Sequence, residues 1–538
     1  MQTFIRSIRA ALIALSCSLG LLTLAYGQVS VTTYHNDNGR TGQNVKETTL
    51  TPGNVRVATF GKVFTGSVSL DSWAAAQPLY VANVTISGTA HNVVYIATLN
   101  NTVYAFDANN GLLLWMQNYG TPTPYTTLCN DSAFQNSPSK GAGIVGTPVI
   151  DPVAGTMYFV AKTGATSSSF ALSLHAVDIT TGNERNGSPV AVIPPSGPTF
   201  YPRYQMNRPG LLLNNGMVYF ALGSTGCTGL GYFPAINNHG WVLGYNTGNL
   251  TQTPLTFVTT PNTDNGGIWQ SGGGLVADSS GNIYFETADA VFDQYTGGLD
   301  FGDSILKLDS NLNLVDFFTP YNQQTLNADD TELGSVGPVL LPDQSVGPTH
   351  LLVGSAKTEE VFVVNRDDLG GFCSACTTTN SNIVQDIPRP SYLTGCLPPA
   401  SGGATTCRYG PLSYWNNTVY VPGENAPMLA YPMSSGTLAT TPLAATNFHG
   451  GIGSPSISAN GSSNGILWAV AWGPSPGNLG VLHAFNAVTM AGLYSSAAAP
   501  NGRDTLGAVA HFVTPTVANG KVYVATRTQL VVYGLLGK

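Results

Sequence analysis

The chain has 538 residues, only 9% of them charged, and a formal net charge of −8. This length exceeds one compact core, so it predicts several domains or one modular architecture built from repeated units. The negative charge and the lack of a Lys/Arg run exclude a nucleic-acid partner. A hydrophobic content of 43%, with 62 Gly, 34 Pro, 24 Tyr and 21 Phe, excludes a disordered chain and is typical of a turn-rich all-β protein.

Residues 1–27 are predicted to be a cleaved secretory signal peptide. Arg6 and Arg9 give a positive start, Ala10–Leu24 is apolar, and small residues precede the expected cleavage site. The alternatives are a membrane anchor and a lipoprotein cleavage site at Cys17, but the apolar run is short for a span and continues past that cysteine. No later stretch is long enough to cross a bilayer. We therefore expect an extracytoplasmic protein, periplasmic or secreted.

After this segment, one unit of about 60 residues recurs eight times. Each unit opens near a Pro or Gly and continues with a β-branched, aromatic-rich strand, such as VVYIATLN from Val93 or KVYVATR from Lys521. A third strand then ends in an Asp or Asn and a Gly turn, as in VYAFDANNG from Val103. The openings are Pro78, Pro148, Pro209, Gly273, Pro338, Pro411, Pro455 and Pro515. Four short strands per unit are the signature of a propeller blade, so we predict an eight-bladed β-propeller over residues 59–538.

The two ends of the repeat predict how the ring closes. The last unit stops at its third strand, LVVYG from Leu530, with no fourth strand after it. An unassigned strand, Phe60–Ser69, precedes the first unit and would complete blade eight. Residues 28–58 are then an N-terminal arm lying over the ring.

The cysteines fit an exported protein, because cleavage leaves six of them. The 373–407 group could be a zinc site, but its spacing matches no zinc ribbon and it contains no His, so disulfides are favoured. The absence of Cys-x-x-Cys-His excludes an attached c-type haem. Blade geometry predicts the pairs Cys129–Cys227, Cys373–Cys376 and Cys396–Cys407.

The repeat resembles that of the pyrroloquinoline quinone (PQQ) dehydrogenases. Phe106–Trp115 has the form Phe-Asp-x-x-x-Gly-x-x-x-Trp, Val177–Gly182 is a partial copy, and the arm from Tyr34 is similar to the N-terminal segment of those enzymes. The resemblance covers about residues 30–538. The chain looks closer still to exported bacterial proteins known only by these repeats, through the motifs His239–Trp241, Gly267–Gly272 and Asp300–Ser304.

The resemblance implies roles for four residues. Trp269 matches the tryptophan on which PQQ lies, and Lys357 matches a lysine that contacts the quinone. Asp289 stands where the family has an Asn that binds Ca²⁺. Asp303 resembles the catalytic base, and the resemblance makes it a second candidate ligand of the Ca²⁺. Two departures count against a working pocket. Residues 162–170 carry no carboxylate where the family's metal-binding Glu belongs, and adjacent cysteines are absent.

Each of these residues also has a simpler interpretation. Trp269 could line the channel, Asp303 could cap the turn before the next strand, and Asp289 could bind a cation without any quinone. Lys357 could pair at the surface with one of the glutamates that follow it. The aspartates at the repeat's tight corners are predicted to be turn residues: Asp107, Asp178 and Asp309.

Three functions remain open. The first is a binding or scaffold propeller, a monomer without chemistry, whose loops Gly120–Gly143, Thr225–Asn238 and Val291–Gly302 take a glycan, peptide or small molecule. The second is a PQQ- and calcium-dependent alcohol or sugar dehydrogenase that passes electrons to a separate carrier. The third is a lyase or glycosidase, which needs paired carboxylates near the axis. A second carboxylate beside Asp289 would favour an enzyme.

Overall fold

In the computed structural model, eight antiparallel sheets of at least four strands each form an eight-bladed β-propeller. The all-β, eight-bladed prediction is confirmed. The structure describes residues 28–128, 141–166, 168–224, 238–358, 360–388, 410–423, 427–444, 451–472 and 479–537.

Each blade takes its strands from consecutive chain segments. Blade 1 comprises Leu79–Ile86, Thr89–Ala97, Thr102–Asp107 and Leu113–Asn118; blade 2 Val149–Asp151, Thr156–Thr163, Ala171–Asp178 and Val190–Ala191; blade 3 Leu212–Asn214, Met217–Ser224, Trp241–Asn246 and Leu255–Val258; blade 4 Val276–Ala277, Ile283–Glu286, Ile305–Leu308 and Leu314–Thr319. Blade 5 comprises Val339–Leu340, Leu351–Ser355, Val361–Asn365 and Gln385–Ile387; blade 6 Ser413–Trp415, Thr418–Val421, Leu429–Ser434, Thr437–Leu438 and Leu443–Ala444; blade 7 Ser456–Asn460, Ser463–Trp472, Val481–Asn486 and Gly492–Ser495; blade 8 Thr516–Ala518, Lys521–Ala525, Leu530–Leu535 and Phe60–Thr65.

Short elements connect or extend the blades. The additional strands are Gln43–Asn44, Thr123–Pro124, Gly141–Ala142, Gln205–Met206, Gly371–Phe372 and Gly451–Ile452, and the α-helices are Tyr125–Leu128 and Gln323–Asp329. The 3₁₀ turns are Pro202–Tyr204, Gln270–Gly272, Gln294–Thr296, Leu333–Ser335, Ser496–Ala498 and Pro500–Gly502. No helix in the described part of the chain is long and apolar enough to span a membrane.

Burial explains why the repeat is rich in Val, Ile and Tyr. First strands of neighbouring blades contact each other around the axis, so they form the inner wall. The third strand of blade 1, Thr102–Asp107, is buried at every position because neighbouring blades cover both of its faces. The outer strand Leu113–Asn118 becomes exposed toward its end. Sheets buried on both faces need continuous apolar residues, and the outer strands do not.

The repeat motif forms a tight corner and connects blade 1 to blade 2 by a hydrogen bond. Asp107 Oδ1 accepts a hydrogen bond from Asn109 N at 2.8 Å and Gly111 has φ +78°, which makes the tight corner that the sequence predicted. Trp115 Nε1 then donates to Ile179 O of blade 2 at 3.0 Å. Asp178 and Asp309 make the same kind of corner through Oδ1, with Thr180 N and Asn311 N.

The first and last parts of the chain share one sheet. Phe60–Thr65 pairs antiparallel with Leu530–Leu535, with an irregularity between Lys62 and Phe64. At this seam, the buried Asp504 carboxylate accepts hydrogen bonds from Lys62 N at 3.0 Å and from Tyr494 Oη at 2.7 Å.

The N-terminal arm runs around the inside of the ring. In chain order, residues 31, 32, 38, 39, 41, 42 and 44 hydrogen-bond with the blades, from blade 1 to blade 8, at or beside their first strands. Arg40 of this arm donates five hydrogen bonds, three within the arm, one to Leu211 O beside blade 3 and one to Leu275 O beside blade 4. The arm therefore fills the axis at this level.

One predicted disulfide lies in the described residues. Cys373 and Cys376 are bonded, as predicted, in a loop of blade 5 whose residues Gly371–Phe372 pair with the outer strand of blade 4. The other predicted pairs and the signal peptide of residues 1–27 lie outside the described residues.

Candidate functional site

A cluster of four carboxyl groups lies where the loops of blades 4 and 5 meet. Asp289 follows the second strand of blade 4 and Asp303 precedes its third strand. Asp330 and Glu332 lie between blades 4 and 5, just after the helix Gln323–Asp329. One carboxylate oxygen each from Asp289, Asp330 and Glu332 lies within 4.8 Å of the others.

The end of the short helix sets the position of the last two groups. Asp330 takes a left-handed conformation with φ +53°, which Asp tolerates better than most residues, and its N–H caps the helix at Leu326 O. The chain then turns back, so Glu332 points toward blade 5, where its carboxylate also accepts a hydrogen bond from Ser335 Oγ.

Lys357 is the cation of this cluster. Its Nζ lies 2.8 Å from Asp330 Oδ1 and 2.5 Å from Glu332 Oε2. One alternative was that Lys357 pairs with Glu359 or Glu360. For Glu360 it is wrong, because the turn after the second strand of blade 5 directs the Lys357 ammonium toward the linker between blades 4 and 5, which carries Asp330 and Glu332. Glu359 lies outside the described residues.

Asp303 is fully buried beside the cluster. Its Oδ2 accepts a hydrogen bond from Gln323 Nε2 at 3.1 Å, and its Oδ1 accepts one from Leu333 N at 3.3 Å. Asp303 is therefore not the turn cap that one alternative predicted, since its carboxyl bonds to the helix and linker rather than to its own turn. The contacts join Asp303 to the segment that carries Glu332.

The electrostatics of the cluster favour an added cation. Burial, followed by the charges of Glu332 and Asp303, raises the pKa of Asp289. Burial and then Glu332 hold the pKa of Asp303 well above its ordinary value. Burial alone would lower the pKa of Lys357, but Glu332 and Asp330 outweigh it and raise the pKa. One ammonium thus faces four carboxyl groups, which ionise together only if further positive charge arrives.

The donor set fits a hard metal ion. Asp289 Oδ1 is buried and receives no hydrogen bond from any described residue, and Asp289 is one of the three residues whose carboxylate oxygens converge here. Carboxylate oxygens are the ligands that Ca²⁺ and similar hard cations prefer. The residues present therefore fit a calcium-type ion held by Asp289, Asp330 and Glu332.

Trp269 lies on the chain segment next to the cluster. Gly266 N donates to Asp289 O at 3.0 Å, and Ala288 N donates to Gly267 O at 2.9 Å, so the two loops run side by side. The half-buried Trp269 ring packs into an apolar group drawn from the segments that precede several blades, with Trp73, Leu99, Tyr125, Ala142, Val145, Phe170, Met206, Ala508 and Ala510 among its members. Both alternatives for Trp269, channel lining and a platform for a planar ligand, agree with this position.

Blade 2 contains a buried cation, Lys162, at the start of the stretch 162–170 that carries no carboxylate. Lys162 is 1% exposed, and its Nζ donates hydrogen bonds to the carbonyl oxygens of Pro202, Arg203 and Gln205 at 2.9, 2.8 and 2.5 Å. Burial lowers the pKa of Lys162 to about 7, yet three acceptors match the three hydrogens of an ammonium. Blade 2 therefore contributes no carboxylate here.

Comparison with known proteins gives the fold. No protein-family model matches the chain, and no curated protein matches its sequence. By structure, the chain is similar to quinoprotein dehydrogenases. A europium-containing methanol dehydrogenase aligns with a TM-score of 0.59 and 14% identity over 94% of this chain and 98% of that one. A quinohaemoprotein alcohol dehydrogenase from Pseudomonas putida HK5 aligns with a TM-score of 0.58 and 14% identity over 95% and 81%.

BamB from Moraxella catarrhalis is also similar, with a TM-score of 0.51 and 12% identity over 88% of this chain and 99% of that one. At these identities the likeness shows the fold alone. The PQQ-repeat resemblance and the roles of Trp269, Asp289, Asp303 and Lys357 stay predictions.

Three of the four residues predicted from the sequence lie in one cluster, and two further members of that cluster were not predicted. Asp289, Asp303 and Lys357 share one cluster, and Trp269 lies on the adjoining segment. Asp330 and Glu332 were missed because they lie in a linker outside the repeat. The acidic run from Asp329 to Glu332, in a chain with 9% charged residues, is the signal that could have found them.

Proposed function

We propose that this chain is an extracytoplasmic dehydrogenase of the quinoprotein type, which uses PQQ and a hard cation to oxidise an alcohol or a sugar and passes electrons to a separate carrier. The observation that carries the proposal is the convergence of Asp289, Asp330 and Glu332, with an unpartnered Asp289 oxygen, beside the loop of Trp269. A scaffold needs no buried group of like charges, which costs stability when no cation is bound.

The residues have distinct roles in this proposal. Asp289, Asp330 and Glu332 hold the cation, Trp269 offers its ring face to the quinone, and Lys357 orients Glu332 and Asp330. Bound PQQ supplies a two-electron acceptor, and the cation makes it more electrophilic.

Asp303 remains the predicted base. It was also predicted as a calcium ligand, but the group of converging carboxylate oxygens consists of Asp289, Asp330 and Glu332, and Asp303 lies beside it. Its carboxyl is fully buried and its Oδ2 accepts a hydrogen bond from Gln323. The Gln323 amide therefore competes with a substrate hydroxyl for Asp303 Oδ2 and weakens that oxygen as a proton acceptor. We expect Gln323→Ala to alter the pH profile of turnover without weakening cation binding.

The test is a titration of the purified protein with PQQ and Ca²⁺, followed by quinone absorbance and tryptophan fluorescence. Tb³⁺ replaces Ca²⁺ in a parallel series, because its emission is sensitised by a nearby indole. We expect Asp289→Asn to weaken cation binding at least about tenfold, since a charged ligand is lost. Asp309→Asn, which changes an exposed turn carboxylate, is the matched control.

A dye-linked screen of alcohols and sugars then tests for turnover. The dehydrogenase proposal predicts binding of PQQ that is lost in Trp269→Ala and retained in Trp115→Phe, a tryptophan that ties two blades elsewhere. Absence of PQQ binding at tens of micromolar, with Ca²⁺ present, contradicts it.

The second candidate is a binding module without chemistry, and two observations favour it. The stretch 162–170, where the resemblance predicts a metal-binding Glu, carries no carboxylate, and its Lys162 is held by three carbonyl oxygens. The loop Val291–Gly302, which sequence reasoning named as a ligand surface, exposes Val291, Tyr295 and Leu299 by 45%, 54% and 59%. Solvent-exposed apolar side chains on one loop are typical of contact surfaces for a glycan or peptide. A glycan array on the protein without PQQ tests this candidate.

The extracytoplasmic location is part of the proposal. The Cys373–Cys376 disulfide supports it, because such bonds persist in oxidising compartments. The predicted signal peptide is tested by N-terminal sequencing of the protein recovered from the periplasm or the medium.

A further inference from the structure

Arg208 is a buried cation for which the described part of the chain offers no hydrogen-bond or ion-pair partner. Its side chain lies just before the first strand of blade 3 and is 5% exposed. Among the described residues no acceptor receives a hydrogen bond from its guanidinium and no carboxylate pairs with it; the charge acts only on the phenols of Tyr34 and Tyr125. A guanidinium on a residue this deeply buried loses much of its hydration, and no protein acceptor among these residues replaces it, which is costly.

Arg40 shows what a structural arginine looks like in the same protein. It is 2% exposed and donates five hydrogen bonds, to Thr33 Oγ1 and to four carbonyl oxygens at 2.6–3.2 Å. The two arginines are similarly buried near the axis and differ in whether their donors are satisfied. Holding the fold together therefore explains Arg40 and does not explain Arg208.

The surroundings of Arg208 connect it to the apolar group around Trp269. Tyr125, whose phenol interacts electrostatically with Arg208, belongs to that apolar group. Met206, two residues before Arg208 in the chain, belongs to it as well. Gly272, three residues after Trp269, has φ +91°, and a Cβ there would lie 2.3 Å from Arg208 Nη1. Only glycine lets this backbone approach the guanidinium so closely.

We propose that Arg208 and the apolar group around Trp269 together form a binding pocket. This pocket takes a planar organic anion whose carboxylate or sulfonate pairs with the guanidinium while its ring lies against the apolar side chains. The inference deepens the proposed function by naming the ligand class of the same pocket, and it stands if the ligand is a planar anion other than PQQ. A planar anionic group matches the guanidinium fork, which donates two parallel hydrogen bonds.

The first measurement is the thermal stability of the ligand-free protein with Arg208→Met and Arg40→Met. Replacing an unpaired buried charge with an apolar side chain of similar length should raise the Tm by about 1–3 °C. Arg40→Met should lower it, because four carbonyl oxygens and a hydroxyl lose their donor.

The second measurement uses two fluorescent probes that differ in one group. 8-Anilinonaphthalene-1-sulfonate carries a sulfonate, and N-phenyl-1-naphthylamine has the same rings without it. We expect the native protein to prefer the anionic probe, Arg208→Met to reduce that preference by about tenfold or more, and Arg208→Lys to retain part of it. PQQ, a planar tricarboxylate, is titrated in parallel.

The outcomes separate the two proposals. If Arg208→Met loses the preference for the anionic probe while PQQ never binds, the anion site stands and the quinoprotein function falls. If PQQ binds equally well to the native protein and to Arg208→Met, and the probe preference is unchanged, the inference about Arg208 is overturned. A Tm that falls in Arg208→Met as it does in Arg40→Met also overturns it, since Arg208 is then a structural residue.

Discussion

Replacing Asp289 with Asn should change how stability depends on pH. The pKa of Asp289 is raised by burial and then by Glu332, so the folded protein keeps a proton at pH values where the unfolded chain has lost it. The native state then binds more protons than the unfolded state, and stability falls as the pH rises above about 4.

The slope follows from linkage. One retained proton lowers the free energy of unfolding by about 1.4 kcal/mol per pH unit, so between pH 5 and pH 7 the native protein loses about 2.7 kcal/mol through Asp289. An Asn cannot titrate, and Asp289→Asn should lose that much less over the same interval. Comparing the two proteins removes the contributions of buried carboxyls that do not interact with Asp289, such as Glu286, whose pKa burial also raises.

With Ca²⁺ bound, the free energy of unfolding of the native protein should no longer fall between pH 5 and pH 7 but rise. A cation binds the ionised carboxylates and displaces their protons, so its stabilising effect should be larger at pH 7 than at pH 5. The assay is urea unfolding at pH 5, 6 and 7, with and without Ca²⁺. Asp309→Asn is the control, because hydrogen bonds from Asn313 and Asn311 outweigh burial and hold the pKa of Asp309 below its ordinary value, opposite in direction to Asp289. Equal slopes for the native protein and Asp289→Asn, or equal stabilisation of both by Ca²⁺, would refute the reasoning.

Three further substitutions test other parts of the structure by urea unfolding at pH 7. Lys162→Met leaves three carbonyl oxygens without a donor and should cost about 3 kcal/mol; a loss below about 1 kcal/mol would contradict the hydrogen bonding described. Asp504→Asn removes a carboxylate that is 0% exposed and lies 2.7 Å from Arg503 Nη2; it should cost about 2–3 kcal/mol, whereas an unchanged midpoint would show that the seam does not depend on it. Gly272→Ala forces a Cβ to 2.3 Å from Arg208 Nη1 at φ +91°, so we expect about 1–3 kcal/mol of destabilisation and a weaker anionic probe; unchanged binding would place the pocket elsewhere.

The blades were predictable because each one repeats the same local rules. Alternating apolar strands and tight corners such as Asp107 to Gly111 depend only on residues that are neighbours in the sequence, so one sequence is enough to predict them. The disulfide Cys373–Cys376 was predictable for the same reason, since its partners lie in one short loop.

The rest depends on contacts between distant segments. The path of the arm rests on backbone hydrogen bonds and on the left-handed conformations of His35, Asn36 and Arg40, which leave no apolar periodicity to recognise. Glu332 joins the cluster only because a short helix turns the linker back toward blade 5. A sequence pattern contains no information about which loops face each other across two blades.

The arm also fixes how many blades the protein can have. Its residues 31 to 44 hydrogen-bond with blades 1 to 8 in chain order, with about one or two residues for most blades. The length of this segment therefore matches the inner circumference of the ring. Propellers can gain or lose blades by duplication or deletion of one repeat. Here a ninth blade would leave its inner strand without a hydrogen-bonding partner, and a missing blade would leave part of the arm unpaired. The length of this N-terminal segment therefore ties the repeat number to eight.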